Sequence, residues 1–128
     1  MSKRHSFEKD ERLSRIKIIN QLFSSGNSLS LFPLKIHWME VDENLNSPAQ
    51  VLISTSNKII KKATKRNLIT RKIKEAYRLK KHILYKNLKS LNKSIVLAYI
   101  YIGPENVSYK EIENKLRISF ELILKELK

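Results

Sequence analysis

The sequence has 128 residues, of which 41% are hydrophobic, which is enough for one globular domain with a single core. Lysine and arginine number 26 against 12 acidic residues, so the formal charge is +14 and a polyanion is the leading candidate partner. The absence of cysteine excludes a disulfide framework and thiolate metal sites, and no apolar run approaches the roughly 20 residues of a membrane-spanning helix.

The N-terminal part predicts an arm followed by a short helix. Residues 1–11 are polar and charged, with no apolar segment of a secretory signal behind them, so we expect a flexible basic arm on a cytoplasmic protein. Ser14 can cap a helix that runs to about Ser25, because Ile16, Ile19 and Phe23 recur on one face. Gly26 is suited to the left-handed position that ends such a helix.

Two strands are predicted next. Residues 27–32 are rich in Ser and Asn and predict a loop, after which Leu34, Ile36 and Trp38 alternate with polar-tipped side chains as in a strand. Residues 40–48 predict a turn, and the β-branched segment 50–55 predicts a second strand. The simplest arrangement of these two strands is a hairpin.

A basic stretch from Lys58 to Arg78 has no Gly or Pro and predicts a long helix. Its apolar residues Ile69, Ile73, Ala76 and Tyr77 fall on one stripe of a helical wheel. The neighbouring arc, which we call the cationic ridge, comprises Asn67, Arg71, Lys74, Arg78 and Lys81. A ridge of about 20 Å at 1.5 Å per residue matches a run of backbone phosphates better than a small ligand. A solvated charged face is the alternative, but the planar donor fork of Arg and the neutral donor and acceptor of Asn favour binding.

The C-terminal part predicts a strand and a helix. The helical pattern fades between Lys81 and Ser90, where Asn87 and Ser90 interrupt it. The apolar run 94–102 predicts a central strand covered on both faces. Ser108 and Glu111 form a capping box that opens a final helix. Its buried stripe is predicted to comprise Ile112, Leu116, Ser119, Phe120, Ile123 and Leu127. The resulting order, α-β-β-α-β-α, predicts a small single-domain α+β sandwich spanning residues 1–128, with helices packed on one mixed sheet.

Catalytic side chains are not evident. His5, His37 and His82 are scattered and without metal-ligand spacing, and Asp42 and Glu43 lie in a predicted turn, where solvated acids are the simpler interpretation. No phosphate-binding glycine loop or nucleophile elbow occurs. Trp38, Tyr99 and Tyr101 could stack on bases, although core packing is the simpler prediction for them. The sequence therefore predicts binding and no metal or catalytic residue.

The basic stretch resembles the signature of the bacterial ribonuclease P protein component, which is roughly K-x-x-x-x-A-V-x-R-N-R-x-K-R-x-x-R-E-x-[FY]-R. Eight anchor positions agree at fixed spacing: Lys58, Ala63, Arg66, Asn67, Arg71, Glu75, Tyr77 and Arg78. The resemblance extends over helix one, the apolar strand and the terminal helix. Leu68, Thr70 and Lys74 stand where the family usually has Arg, Lys and Arg, which weakens the charge of the ridge but keeps its outline.

The resemblance implies a fold with a left-handed β-α-β crossover and a subunit of the ribonucleoprotein that cleaves the 5′ leader from precursor tRNA. The protein binds the catalytic RNA and holds the leader in a cleft between helix one and the sheet, while magnesium ions bound mainly by the RNA perform the cleavage. The residues expected to bind RNA are Lys58, Lys62, Lys65, Arg66, Asn67, Arg71, Lys74, Arg78 and Lys81. The residues expected to line the leader cleft are Ile19, Phe23, Lys35 and His37. No oligomer is expected.

Two other functions are compatible with the residues. A ribosomal or other structural RNA-binding protein could use the same ridge without a role in cleavage. A self-sufficient protein nuclease would need Asp42 or Glu43 for catalysis.

Overall fold

Three helices pack against one four-stranded sheet in residues 9–42 and 47–128, the part of the chain that this computed structural model describes. The elements are a 3-10 turn at Lys9–Glu11, α1 at Ile16–Ser25, β1 at Asn27–Leu31, β2 at Leu34–Val41, β3 at Ala49–Thr55, α2 at Ala63–Leu91, β4 at Ser94–Tyr101 and α3 at Tyr109–Leu127. The predicted α+β class is confirmed, with one strand more than expected. Residues 1–8 of the predicted arm lie outside the described residues.

The sheet has the order β1-β2-β4-β3, with β4 antiparallel to β2 and parallel to β3. The prediction of a central, doubly covered strand is confirmed, since the run from Ile95 to Tyr99 is fully buried. The predicted hairpin of β2 and β3 is wrong, because β4 lies between them. Of these three strands only β4 is apolar on both faces, so the central place removes the most apolar surface from water.

The segment predicted as a loop, residues 27–32, instead forms β1, which pairs antiparallel with β2 at the edge of the sheet. Its Ser and Asn side chains are exposed, while Leu29 and Leu31 pack against the core. An edge strand with one polar face has the composition of a loop, and this explains the error.

Two layers of helix cover opposite faces of the sheet. α2 and α3 pack with Ile36, Leu97 and Tyr99 in the main core, whereas Leu22 of α1 packs with Val96 and Ala98 on the other face. Trp38, Tyr99 and Tyr101 are buried in the main core, as predicted. The crossover from β3 through α2 to the parallel neighbour β4 is present, and its left-handed sense stays a prediction of the resemblance.

Both ends of α1 differ from the prediction. The N-cap is Arg15, without a side-chain hydrogen bond, so Ser14 is not the cap. Gly26 has φ −76° and ψ 173°, which is extended and not left-handed, because the chain passes straight into β1. Glycine is required there by close approach, since a Cβ would lie 2.5 Å from the carbonyl oxygen of Leu22.

The helix predicted from Lys58 begins at Ala63. The preceding segment is a turn held by the backbone bond from Ile60 N–H to the Ser56 carbonyl, with the Ile60 side chain buried. This turn is needed because the chain must leave the end of β3 and reverse direction before α2 can cross the sheet.

α2 continues through the region in which the pattern fades, and ends at Leu91 with Asn92 in the left-handed conformation. Leu84 and Leu88 extend the buried stripe, and the Asn87 side chain donates to the Ile83 carbonyl at 2.7 Å. The predicted interruption at Asn87 is therefore wrong, because its polar group is satisfied within the helix.

α3 agrees with the prediction. The Ser108 hydroxyl accepts a hydrogen bond from the Glu111 N–H at 3.1 Å, which caps the helix. The predicted apolar stripe is buried and comprises Ile112, Leu116, Ser119, Phe120, Ile123 and Leu127.

The end of the predicted arm, residues 9–11, is fixed to the domain. Leu13 N–H donates to the Val51 carbonyl, which places this segment along the β3 edge. The Glu11 carboxylate is buried and accepts two bonds of 2.7 Å from the Lys81 ammonium and one of 2.6 Å from the Tyr85 hydroxyl. Burial, followed by the bond to Glu11, raises the pKa of Tyr85, so the hydroxyl stays protonated and donates.

Removing one partner of this pair leaves a buried charge. We expect Lys81→Ala to lower the free energy of unfolding by about 3–5 kcal/mol, measured by urea denaturation. The matched control is Lys80→Ala, whose partner Glu113 lies 4.0 Å away and part exposed, and which should cost about 1 kcal/mol or less.

Candidate nucleic-acid interface

The cationic ridge of α2 is largely exposed, as its helical phase predicts. Asn67, Arg71 and Lys74 are exposed, while Ile69 and Ile73 on the neighbouring stripe are buried. Arg71 and Lys74 have no ion-pair partner among the described residues. Their charges are therefore available to an external anion.

Arg78 lies further along the ridge and is ion-paired with Glu75, one turn earlier. The hydrogen bond from Arg78 is the main cause that lowers the pKa of the Glu75 carboxyl. The two groups remain part exposed, so a phosphate can compete with Glu75 for the guanidinium.

Lys81 does not lie on the exposed ridge, and that prediction is wrong. Its helical phase lies between the ridge and the apolar stripe, and the Glu11 carboxylate draws the ammonium inward. Glu11 is 70 residues away in sequence, so no local pattern of α2 could have shown the pairing.

Arg66 fixes the entry to α2. Its guanidinium donates to the carbonyl oxygens of Ile60 and Lys61 at 3.0 and 2.7 Å. Lys58 and Lys62 lie in the turn before the helix, and Lys65 lies in its first turn; all three are exposed. The first turn of α2 has no acidic residue and no side-chain cap, so this end of the helix is strongly electropositive.

The predicted leader-cleft residues meet on the sheet face that α1 partly covers. The rings of Phe23 and His37 are in edge contact, with centroids 4.7 Å apart and planes at 62°. Lys35 lies two residues before His37 on the same face of β2 and is exposed. Ile19 is half buried in the small cluster below α1. The structure therefore brings aromatic, cationic and apolar groups together.

The side of α1 that carries Ile16, Ile19 and Phe23 was predicted to be packed and is partly exposed. Ile16 is 74% exposed and Phe23 is 40% exposed, because Leu22 and Ile18 make the contacts with the sheet instead. The helix is rotated so that the expected stripe forms a wall beside the sheet face. An exposed wall of this kind is suited to flat apolar groups such as bases.

The surroundings of His37 favour its neutral imidazole. Burial beneath Phe23, and secondarily the charge of Lys35, lower the pKa of His37 from its usual 6.5. The imidazole is thus uncharged at neutral pH and has one donor and one acceptor nitrogen.

A groove that the sequence did not indicate lies beside the ridge. It has a volume of about 300 Å³ and lies at the β3 edge, where Lys74 of the ridge reaches the N-terminal segment. Its lining residues are Arg12, Leu13, Ser14, Val51, Leu52, Ile53 and Lys74. Leu52 belongs to the α1 side of the sheet and Val51 to the α2 side, so the groove runs between the two faces. Residues 12–13, which pair with β3, form part of its lining.

Metal-ligand clusters are absent from residues 9–42 and 47–128, where no three His, Cys, Asp or Glu side chains come together as ligands. No helix in these ranges has the length and apolarity to span a bilayer. Asp42 is exposed at the end of β2, whereas Glu43 lies outside the described residues.

Comparison with known proteins gives consistent matches. The family model described as Ribonuclease P matches residues 7–124. The ribonuclease P protein component of Porphyromonas gingivalis strain ATCC 33277 is 29% identical over 111 residues, covering 87% of this chain and 81% of that protein.

Solved structures show the same fold at low identity. An RNase P protein mutant of Staphylococcus aureus, described as defective in mRNA degradation activity, superposes with a TM-score of 0.70 at 20% identity, covering 91% of this chain and 90% of that one. The RNase P protein of Thermotoga maritima gives 0.66 at 20% identity, covering 88% and 96%.

The lowered pKa of His37 is testable by NMR titration of its ring. Lys35→Gln should raise the pKa part of the way to 6.5, since it removes the smaller cause, and Phe23→Ala should raise it through hydration. The remote variant Lys89→Gln is the control and should leave it unchanged.

The same shift affects stability. Below pH 6.5 the unfolded chain binds a proton at His37 before the folded chain does, so the free energy of unfolding falls as the pH is lowered through this window. A pKa of His37 at or above 6.5 in the unmodified protein would contradict this account of the cleft.

Proposed function

Because the chain belongs to the ribonuclease P protein family, we propose that it binds the catalytic RNA of ribonuclease P through the α2 ridge and the precursor tRNA leader through the α1 cleft. The observation that carries the proposal is the combination of exposed Arg71 and Lys74, which have no ion-pair partner among the described residues, with a separate aromatic cleft. In this function the protein assists endonucleolytic 5′ maturation of tRNA in the cytoplasm.

The ridge is suited to folded RNA by charge and by length. Arg71 and Lys74 project from a helix whose opposite side is buried in the core, so the backbone that carries them is fixed before binding. Only their side chains lose conformational freedom on binding, and the phosphates they neutralise release counterions. Asn67 adds a neutral donor and acceptor at the start of this surface.

The cleft is suited to a single strand. Exposed Phe23 offers a face for base stacking, and neutral His37 can hydrogen-bond to a base edge. Lys35 is placed to pair with a backbone phosphate on the same face of the sheet. Together these groups bind a strand without requiring one sequence.

The chemistry of cleavage is assigned to the RNA. Magnesium ions held by the partner RNA would supply an activated water and stabilisation of the leaving oxygen. This chain contributes binding and orientation. A self-sufficient nuclease using Asp42 is not supported, since no three His, Cys, Asp or Glu side chains cluster as metal ligands in residues 9–42 and 47–128.

The test is reconstitution with the matching RNA at moderate magnesium. Adding the protein should raise kcat/KM for cleavage of precursor tRNA, and no stimulation would contradict the proposed function.

The leader contact is tested with precursors of long and single-nucleotide leader. Phe23→Ala should weaken binding of the long-leader precursor by about 1–3 kcal/mol, roughly five- to hundredfold, and have little effect on the short one. The matched control is Leu122→Ala on α3, since Leu122 is also 40% exposed but lies across the sheet. Equal losses with both leaders would favour the alternative of a structural RNA-binding protein.

A further inference from the structure

The C-terminal half of α2 carries cations beyond the family signature, which ends at Arg78. α2 continues as a helix to Leu91 and presents Lys86 and Lys89 to solvent. These residues fall in the region whose pattern fades in the sequence. In the continuous helix Lys89 returns to the side of Arg71, and Lys86 lies about 60° further round the axis.

The ten basic residues of α2 divide into two sets. One set has partners within the fold: Arg66, Lys72, Arg78, Lys80 and Lys81. The other set is exposed and has no ion-pair partner within residues 9–42 and 47–128: Lys65, Arg71, Lys74, Lys86 and Lys89. The outward set therefore extends along the whole helix and is not confined to the signature.

Most of the excess positive charge lies on α2. α3 has four basic and four acidic residues and an internal ion pair between Arg117 and Glu121. α2 has ten basic residues and a single acidic one, Glu75. A surface kept basic only for solubility would not concentrate its charge on one helix.

Lys89 lies far along α2 from Arg71. Arg71, Arg78, His82 and Lys89 follow one another at intervals that return to the same side of a helix. Lys89 is then about 27 Å from Arg71 along the axis, at 1.5 Å per residue. This exceeds three screening lengths of about 8 Å at physiological salt, so one phosphate cannot serve both ends.

We propose that Lys86 and Lys89 bind the phosphate backbone of the same folded RNA at a second place, apart from the contact of Arg71 and Lys74. This inference rests on the proposed function and deepens it. RNA fits better than an anionic membrane, because the apolar side of α2 is buried in the core and is not available for insertion into lipid.

The experiment measures RNA affinity against salt concentration for Lys86→Ala with Lys89→Ala. The slope of log affinity against log salt should fall by about 1.4–1.8, and affinity at physiological salt should fall roughly tenfold or more. Arg71→Ala should lower the slope by about one, and the effects should add because the sites are well separated.

The control replaces two exposed lysines of α3, Lys110 and Lys125, with alanine and so removes the same charge. If the double variant of α2 has the same salt slope and affinity as this α3 control, while Arg71→Ala still lowers the slope, this inference is overturned and the proposed function is not. Failure of the unmodified protein to bind the RNA would overturn the proposed function as well. If the double variant of α2 loses binding to phosphatidylserine vesicles while its RNA salt slope is unchanged, the inference is overturned in favour of a membrane surface.

Discussion

Burial of the apolar stripe of α2 fixes the orientation of everything on its other side. Tyr77 at the centre of this stripe contacts the rings of Tyr85, Tyr99 and Phe120, which belong to three different elements. Rotating the helix by one residue, about 100°, would expose this cluster and bury the cations of the ridge. The core therefore determines which side chains face a partner, although none of the core residues touches it.

The central position of β4 separates the two proposed binding surfaces. Its side chains on one face of the sheet pack in the main core with α2 and α3. On the other face, Val96 and Ala98 pack against α1. Because α1 is short and rests mainly on Leu22, part of that sheet face stays open beside Phe23 and His37. One strand thus provides a rigid support for a ridge on one side of the sheet and a cleft on the other.

Sequence periodicity was sufficient where a contact depends on neighbours within one element. The phase of α2, the α3 stripe and the capping box at Ser108 all follow from spacing alone, and the structure agrees. The failures concern contacts distant in sequence: Lys81 is buried by Glu11, and β2 pairs with β4 instead of β3. The cleft residues came from the family resemblance, since nothing in the local pattern shows that Phe23 reaches His37 across α1 and β2.

The central claim is that the outward cations of α2 face RNA while α3 does not. Acetylation of lysines with and without the bound RNA, quantified by mass spectrometry, tests it most directly. The account predicts that Lys74, Lys86 and Lys89 react in the free protein and are protected in the complex, whereas Lys110 and Lys125 react equally in both. Protection of the α3 lysines, with the α2 lysines still reactive, would contradict it.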